Sequence, residues 1–283
     1  MKPTLNTLCL DHIHVDNDII LTEKGTAFDA VSYSKFKYGN GAISKNYGEQ
    51  LARVFIQQYS SILDQDNSFV VSSASYRHIP KGATSITHFF LRYLNDYLES
   101  KNKKCAESVK VSSTEPFVGD YASFSAEKRA QLMKKERLTL ANGDVKGKKL
   151  ILIDDIRITG SAEKGLINFF QEQGVTDIFL VYVAIADPVY ATSNPQIESV
   201  INHVWMDNLE KLKVIMNSKD FMLNARVCKY ILSYPKLDEL DIFLKELDPE
   251  VLKYFYENVM KDKEKYEIDT YVPVLSLIRK NLD

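Results

Sequence analysis

Apolar residues follow two different periods along this chain. Three short runs are almost continuously apolar: Phe69–Val71, Leu150–Ile153 and Ile178–Ile185. Runs this short and this rich in β-branched residues are typical of strands buried on both faces, as in parallel sheets. Between them, residues 42–63 and 84–98 place apolar side chains at helical spacing. The alternation predicts an α/β domain with a mostly parallel sheet flanked by helices.

Weaker patterns predict further elements. Residues 108–112 alternate and predict a strand, and residues 200–205 predict a last short strand. From about residue 208 only helical spacing remains, and Asp248-Pro249 has the order of an N-cap and a first helical residue. We therefore predict an α/β domain over residues 1–206 and a helical C-terminal extension or cap over residues 207–283.

The segment from Lys149 to Gly174 predicts a strand, a short polar loop and a helix. The free N–H groups at the start of such a helix favour an anion. Thr159 and Ser161 add hydroxyl donors, and Gly160 allows close approach of a ligand. Adjacent strand residues point to opposite faces, so two neighbouring carboxylates can converge on one ligand only where the strand ends. An anion site beside two carboxylates suits a sugar phosphate.

Residues 151–161, Ile-Leu-Ile-Asp-Asp-Ile-Arg-Ile-Thr-Gly-Ser, resemble the phosphoribosyl-pyrophosphate (PRPP) signature of type I phosphoribosyltransferases. The resemblance implies that Asp154 and Asp155 hold the ribose hydroxyls, serve catalysis and bind Mg²⁺, directly or through water. It also implies that the candidate phosphate loop wraps the 5′-phosphate; this loop consists of Ile156, Arg157, Ile158, Thr159, Gly160 and Ser161. Two departures remove hydroxyl donors, because Ile158 replaces a frequent second Thr and Ala162 replaces a common Thr or Ser. The alternative is an ordinary βα turn whose acids cap the helix.

The first buried strand is followed by small residues and two cations. The resemblance implies that this segment, residues 72–82, contacts pyrophosphate, and we call it the candidate pyrophosphate loop. Its candidate contacts are Ser73, Ala74, Ser75, Tyr76, Arg77 and Lys81. Small residues expose backbone, and Arg suits bidentate contact with phosphate oxygens. A polar loop with solvated cations is the alternative.

Residues 113–142 are polar, and we predict no strand in them. The resemblance implies that they form the flexible catalytic loop, and long insertions of this kind often close over a site. The candidate loop residues are Tyr121, Lys134, Lys135 and Arg137. Alternatively, Leu132, Met133, Leu138 and Leu140 belong to an amphipathic helix.

Three other groups of residues leave two interpretations open. Asp187 and Tyr190 follow the last long strand and are placed to meet an acceptor, unless Pro188 only ends the strand and Asp187 starts a turn. Residues 33–41 read as a loop. In it, either Lys35 and Lys37 reach phosphates, or Phe36 and Tyr38 pack inward. His12 and His14 flank Ile13 as metal ligands or, in the favoured interpretation, as part of an edge strand.

Composition narrows the class of protein. The 283 residues suffice for one sizeable α/β core with an appendage. Acids exceed bases by two (38 against 36), so no basic field indicates nucleic acid. No apolar run approaches the ~20 residues of a membrane span, and no basic-then-apolar leader is evident. Cys9, Cys105 and Cys228 are few and far apart, which favours a reducing compartment. A cytoplasmic protein is expected.

The resemblance implies a phosphoribosyltransferase that moves the 5-phosphoribosyl group from PRPP to an unidentified small-molecule acceptor and releases pyrophosphate with the help of Mg²⁺. It also implies a homodimer. The first alternative is a non-catalytic PRPP- or nucleotide-binding regulator on the same fold. The second is a hydrolase or kinase-like protein that uses the same loop for a different phosphate. The missing Gly-Lys-Ser/Thr loop argues against a P-loop kinase.

Overall fold

A computed structural model describes residues 3–16, 19–65, 68–113, 138–194, 196–266 and 271–282. Its main sheet has six strands in the order β2-β1-β8-β7-β3-β4. They are β1 (Thr4–Asp16), β2 (Ile19–Thr22), β3 (Phe69–Ser73), β4 (Glu107–Ser108), β7 (Lys149–Arg157) and β8 (Asp177–Ala186). Only β2 runs antiparallel to its neighbour. A separate antiparallel pair joins β5 (Val111–Ser113) to β6 (Leu138–Leu140). The predicted mostly parallel sheet is confirmed.

Helices cover the sheet and then continue alone. Those of the α/β part are α1 (Ala30–Lys37), α2 (Gly41–Leu63), α3 (Gly82–Ser100), α4 (Ser161–Glu172), α5 (Pro188–Ser193) and α6 (Ile197–His203). The C-terminal extension contains α7 (Leu209–Met216), α8 (Ala225–Leu232), α9 (Leu237–Lys245), α10 (Pro249–Lys261), α11 (Lys263–Tyr266) and α12 (Val272–Lys280). The helical extension is thus confirmed. Asp248 caps α10 by accepting from the Glu250 amide at 2.8 Å, with Pro249 at the first helical position.

The two faces of the sheet bury different side chains of the same strand. Ile151 and Ile153 of β7 pack with Phe55 of α2 and Phe90 of α3 in one core. Leu150 and Leu152, which alternate with them in β7, pack with α4 in a second core on the opposite face. This explains the continuous apolar run in β7, because a strand covered on both sides needs apolar residues at every position.

The extension has its own apolar core, made mainly of side chains between Met206 and Ile278. Two residues from the α/β part complete it: Tyr38, just after α1, and Ile79, in the candidate pyrophosphate loop. The division of the chain into domains at residue 206 stays a prediction.

Several local predictions are wrong. Much of the supposed loop at residues 33–41 is helix α1, although Phe36 and Tyr38 do pack inward and are almost fully buried. Residues 200–205 are not a strand, because α6 occupies most of them. Leu138 and Leu140 lie in strand β6 and not in a helix, so residues 113–142 do contain a strand.

Two further segments qualify the predictions. The strand expected at residues 108–112 is divided between β4 and β5. Tyr121, Lys134, Lys135 and Arg137 lie outside the described residues, as does most of the predicted catalytic loop. Among the helices that are described, none combines the length and the apolar composition needed to cross a membrane.

Candidate functional site

The two signature acids lie inside β7, where the neighbouring strand ends. The pairing of β3 with β7 stops at Ser73 opposite Ile153, while β8 continues to pair with β7 as far as Arg157. Beyond β3 the carboxylates bond to backbone instead. Asp154 Oδ1 accepts from the Asp155 amide at 3.0 Å, and Asp155 Oδ1 accepts from the Ile156 amide at 2.8 Å. The acids are therefore held within a strand, whereas we expected them at its end.

Asp155 is buried and already paired. Its Oδ2 accepts from the Lys37 ammonium of α1, which also donates to Glu198 Oε1 of α6 at 3.1 Å. Burial alone would lower the pKa of Lys37, but Asp155 and Glu198 outweigh it and raise that pKa, so Lys37 is charged. Both oxygens of Asp155 are thus engaged within the protein.

Asp154 is only partly buried, and its electrostatic situation differs. Loss of water contact and the neighbouring charge of Asp155 raise the pKa of Asp154 to about 7, while Lys37 and Lys81 oppose the shift. Lys37 therefore neutralises one acid of the pair. Asp154 is the acid with solvent access, and its protonation changes near neutral pH.

A carboxylate lies directly beside the candidate phosphate loop. Glu163, in the first turn of α4, is buried and pairs with Arg157 Nη2 at 2.9 Å and with the Tyr182 hydroxyl of β8. Gly160 precedes α4 with φ +68°, and a Cβ there would lie 2.9 Å from Glu163 Oε1. A side chain at Gly160 would need both strained backbone and displacement of Glu163. Glu163 therefore lies at the helix end that we predicted to bind phosphate.

Other residues of the candidate phosphate loop differ in exposure. Ile156 and Ile158 are buried in the apolar core, whereas Thr159 is partly exposed. Ile158, which lacks the hydroxyl frequent at this position, packs in the core instead. The roles that the resemblance implies for this loop stay predictions.

The candidate pyrophosphate loop leaves β3 beside the acids. The backbone of Ser73, Ala74 and Ser75 turns away with the two serines buried, and Ser73 Oγ lies 3.2 Å from Thr84 Oγ1. Arg77 and Lys81 are exposed. The parallel neighbours β3 and β7 therefore bring this loop and Asp154 to the same edge of the sheet, as sites in open α/β sheets require.

A neighbouring cleft of about 230 Å³ lies between β3, α3 and the β4–β5 region. It is lined by Ser73, Ala74, Tyr76 and Lys110, among others. The Lys110 ammonium lies 4.4 Å from the Tyr76 ring centroid and donates to the Arg77 carbonyl at 2.7 Å. No signature residue lines this cleft, so it extends the candidate pyrophosphate loop on the side away from Asp154.

Asp187 and Tyr190 lie at the carboxyl end of β8. Asp187 caps α5 by accepting from the Tyr190 amide at 2.9 Å, and Pro188 is the first helical residue. The strand thus ends before Pro188, and Asp187 starts the following turn, as the second interpretation of this pair predicts. Its role towards an acceptor stays a prediction.

Mg²⁺ keeps several waters and binds through one or two carboxylates together with substrate phosphates. Within the described residues, no group of three or more His, Cys, Asp or Glu side chains could hold a metal ion. Asp154 could supply the one carboxylate that such a Mg²⁺ site needs, since it is partly exposed beside the two candidate loops. Asp155 does not, because Lys37 and the Ile156 amide hold its oxygens.

Three important residues were missed by the sequence analysis. Glu198 and Asp262 gave no signal, because each acts on a segment far away in the chain. Glu163 could have been found, since a Glu three residues after a helix cap commonly folds back towards that cap.

This sheet, with an acid pair and a glycine turn at its carboxyl edge, is the arrangement of the phosphoribosyltransferase class. The family model described as PRTase ComF-like matches residues 6–278. The chain belongs to that family. The match includes most of the C-terminal extension.

Solved phosphoribosyltransferases also align with part of the chain. A hypoxanthine phosphoribosyltransferase from Staphylococcus aureus is 13% identical with a TM-score of 0.33, and the alignment covers 52% of this chain and 65% of that enzyme. One from Trypanosoma cruzi is 11% identical with a TM-score of 0.35, over 52% and 75% of the two chains. The purine phosphoribosyltransferase of Pyrococcus horikoshii is 13% identical with a TM-score of 0.30, over 49% and 72%. A search of curated proteins gave no match.

Proposed function

We propose that this protein is a phosphoribosyltransferase that transfers the 5-phosphoribosyl group from PRPP to a small-molecule acceptor and releases pyrophosphate. The observation that carries the proposal is the register of β3 and β7. Ser73 lies opposite Ile153, one residue before Asp154. The candidate pyrophosphate loop and the acid pair therefore lie side by side, and this arrangement supports a ligand with pyrophosphate on its ribose ring.

Each candidate residue has a separate role in this reaction. Asp154 would accept a hydrogen bond from a ribose hydroxyl. Backbone N–H groups at the start of α4 would hold the 5′-phosphate and fix the ring for attack at the anomeric carbon. Arg77 and Lys81 would neutralise the leaving pyrophosphate as the ring gains oxocarbenium character. Mg²⁺ bound by PRPP and Asp154 would add positive charge at the pyrophosphate.

A second candidate function keeps the ligand and omits the reaction. Both oxygens of Asp155 are engaged within the protein, and the Glu163 carboxylate lies beside the candidate phosphate loop, paired with Arg157. These two features favour a non-catalytic protein that binds PRPP or a nucleotide and reports its presence. Release of pyrophosphate from PRPP distinguishes the two functions.

Calorimetric titration with PRPP, with and without Mg²⁺, tests both proposals. We expect Mg²⁺-dependent binding that Asp154→Asn weakens by about tenfold or more, because the lost charge contacts both hydroxyl and metal. Unchanged PRPP affinity in Asp154→Asn would contradict the site. Screening candidate acceptors for pyrophosphate release then decides whether the protein is an enzyme.

A further inference from the structure

A buried carboxylate of the C-terminal extension contacts the candidate pyrophosphate loop. Asp262, which ends α10, is only 3% exposed. Its Oδ2 accepts from the Ile79 amide at 3.2 Å and from the His78 amide at 3.4 Å. Its Oδ1 lies 4.0 Å from His78 Nε2. A buried carboxylate is costly unless it is hydrogen-bonded, and among the described residues Oδ1 has no hydrogen-bond partner. The two backbone amides on Oδ2 are therefore the hydrogen bonds that offset the burial of Asp262.

The extension also holds residues 79 and 80 of the loop in two further ways. The Pro80 carbonyl accepts from the Ala225 amide, at the start of α8, at 2.9 Å. The Ile79 side chain is buried in the apolar core of the extension. Residues 78–80 are thus fastened by backbone bonds and by packing.

The fastened residues lie between the two exposed cations of the loop, Arg77 and Lys81. We infer that Asp262 is a positioning residue for the candidate pyrophosphate loop. The C-terminal extension would then contribute to ligand binding by holding this loop in place. This inference rests on the proposed function. It goes beyond the sequence-based prediction of a helical extension or cap, because it names the loop that the extension contacts.

Three ligands separate positioning from general stability: PRPP, pyrophosphate and ribose 5-phosphate, each titrated with Mg²⁺. Pyrophosphate and PRPP use the loop that Asp262 holds, whereas ribose 5-phosphate uses the acids and the candidate phosphate loop. In Asp262→Ala we expect affinity for PRPP and pyrophosphate to fall about tenfold. Affinity for ribose 5-phosphate should change less than about twofold. Asp262→Asn keeps an acceptor oxygen and should restore most of the loss.

Two more variants complete the test. Asp248→Ala removes the cap at the other end of α10 and touches no loop residue, so it controls for weakening of the helix. Ala225→Pro removes the N–H that bonds to Pro80. Pro suits a first helical position, and the preceding Asn224 already has the extended φ of −144° and ψ of 169° that precede proline. This variant should repeat the selective loss, and it decides the question if Asp262→Ala does not fold.

The possible results have separate meanings. Equal loss for all three ligands, no loss in Asp262→Ala and Ala225→Pro, or the same selective loss in Asp248→Ala would overturn the positioning role. If the wild type binds ribose 5-phosphate but neither PRPP nor pyrophosphate, the positioning role also fails. If it binds none of the three ligands, the proposed function itself is wrong.

Discussion

At the scale of single residues, Asp154 and Asp155 are neighbours in sequence but not in environment. Lys37 and the Ile156 amide hold Asp155, whereas Asp154 keeps solvent access and has no cation paired with it among the described residues. The difference follows from the strand, since adjacent side chains point to opposite faces. Asp155 is therefore suited to fixing the site and Asp154 to meeting a ligand.

The raised pKa of Asp154 predicts a pH dependence of stability. The folded carboxyl titrates at about 7 and an unfolded Asp at about 4, so between these values only the folded chain keeps the proton. The free energy of unfolding should therefore fall as pH rises from about 4 to about 7. Above that pH the contribution of Asp154 should stay constant. Asp154→Asn should remove this fall. Urea denaturation of both proteins at pH 5 and pH 8 measures it, and an identical pH dependence in the two proteins would refute the assignment.

Glu163 predicts a change in phosphate affinity. Its carboxylate lies at the positive end of α4 and also holds Arg157. Glu163→Gln removes a charge that repels phosphate and releases a guanidinium that can contact it. We expect ribose 5-phosphate to bind about three- to tenfold more tightly, as measured by calorimetry.

Glu172→Gln, at the exposed far end of the same helix, is the matched control for Glu163→Gln and should leave this affinity unchanged. Weaker binding in Glu163→Gln would mean that Glu163 organises the loop and does not compete with phosphate.

At the scale of elements, the sequence predicts best where one environment covers a whole element. Strands β7 and β8 are buried on both faces, and helix α3 has one apolar face. Helix α1 was missed because its buried side chains include the polar Ser34 and Lys37 and lie on several sides. Helix α6 was mistaken for a strand because it is short. The two helices contact each other, and Ser34 of α1 donates to the Asn202 carbonyl of α6. A contact between segments so far apart in the chain leaves no local pattern in the sequence.

The crossing of α2 and α3 predicts the effect of a single methyl group. A Cβ at Gly48 would lie 2.7 Å from the Ile86 carbonyl oxygen and 2.7 Å from Phe89 Cβ. The close approach involves backbone, so the helices would have to separate. Gly48→Ala should lower the free energy of unfolding by about 1–3 kcal/mol, although Ala is the better helix former.

Ser61→Ala, at an exposed position of α2, is the control and should stay within about 0.5 kcal/mol of the wild type. Urea denaturation measures both variants. Equal stability of Gly48→Ala and wild type would show that the two helices do not pack this closely.

At the scale of the whole molecule, the sequence locates the edge of the sheet that carries the candidate site but not the residues that surround it. The acid pair and the glycine turn are contiguous and can be recognised as a motif. Lys37, Glu198 and Asp262 reach the site from three other parts of the chain. Asp262 belongs to the helical extension, whose purpose no pattern of its own sequence indicates.

The shared apolar core predicts how the chain unfolds. Tyr38 and Ile79 are buried among side chains of the extension, and Asn224 Nδ2 donates to the Lys37 carbonyl at 3.2 Å. A chain ending at residue 206 would expose these apolar residues. It would also lose the hydrogen bonds from the His78 and Ile79 amides to Asp262. We expect the full chain to unfold in one cooperative thermal transition, and the 1–206 fragment to lack a transition near the same temperature and to precipitate on concentration. Calorimetry and near-ultraviolet circular dichroism check this. Two transitions in the full chain, one of them matched by a soluble 1–206 fragment, would show instead that residue 206 separates independent domains.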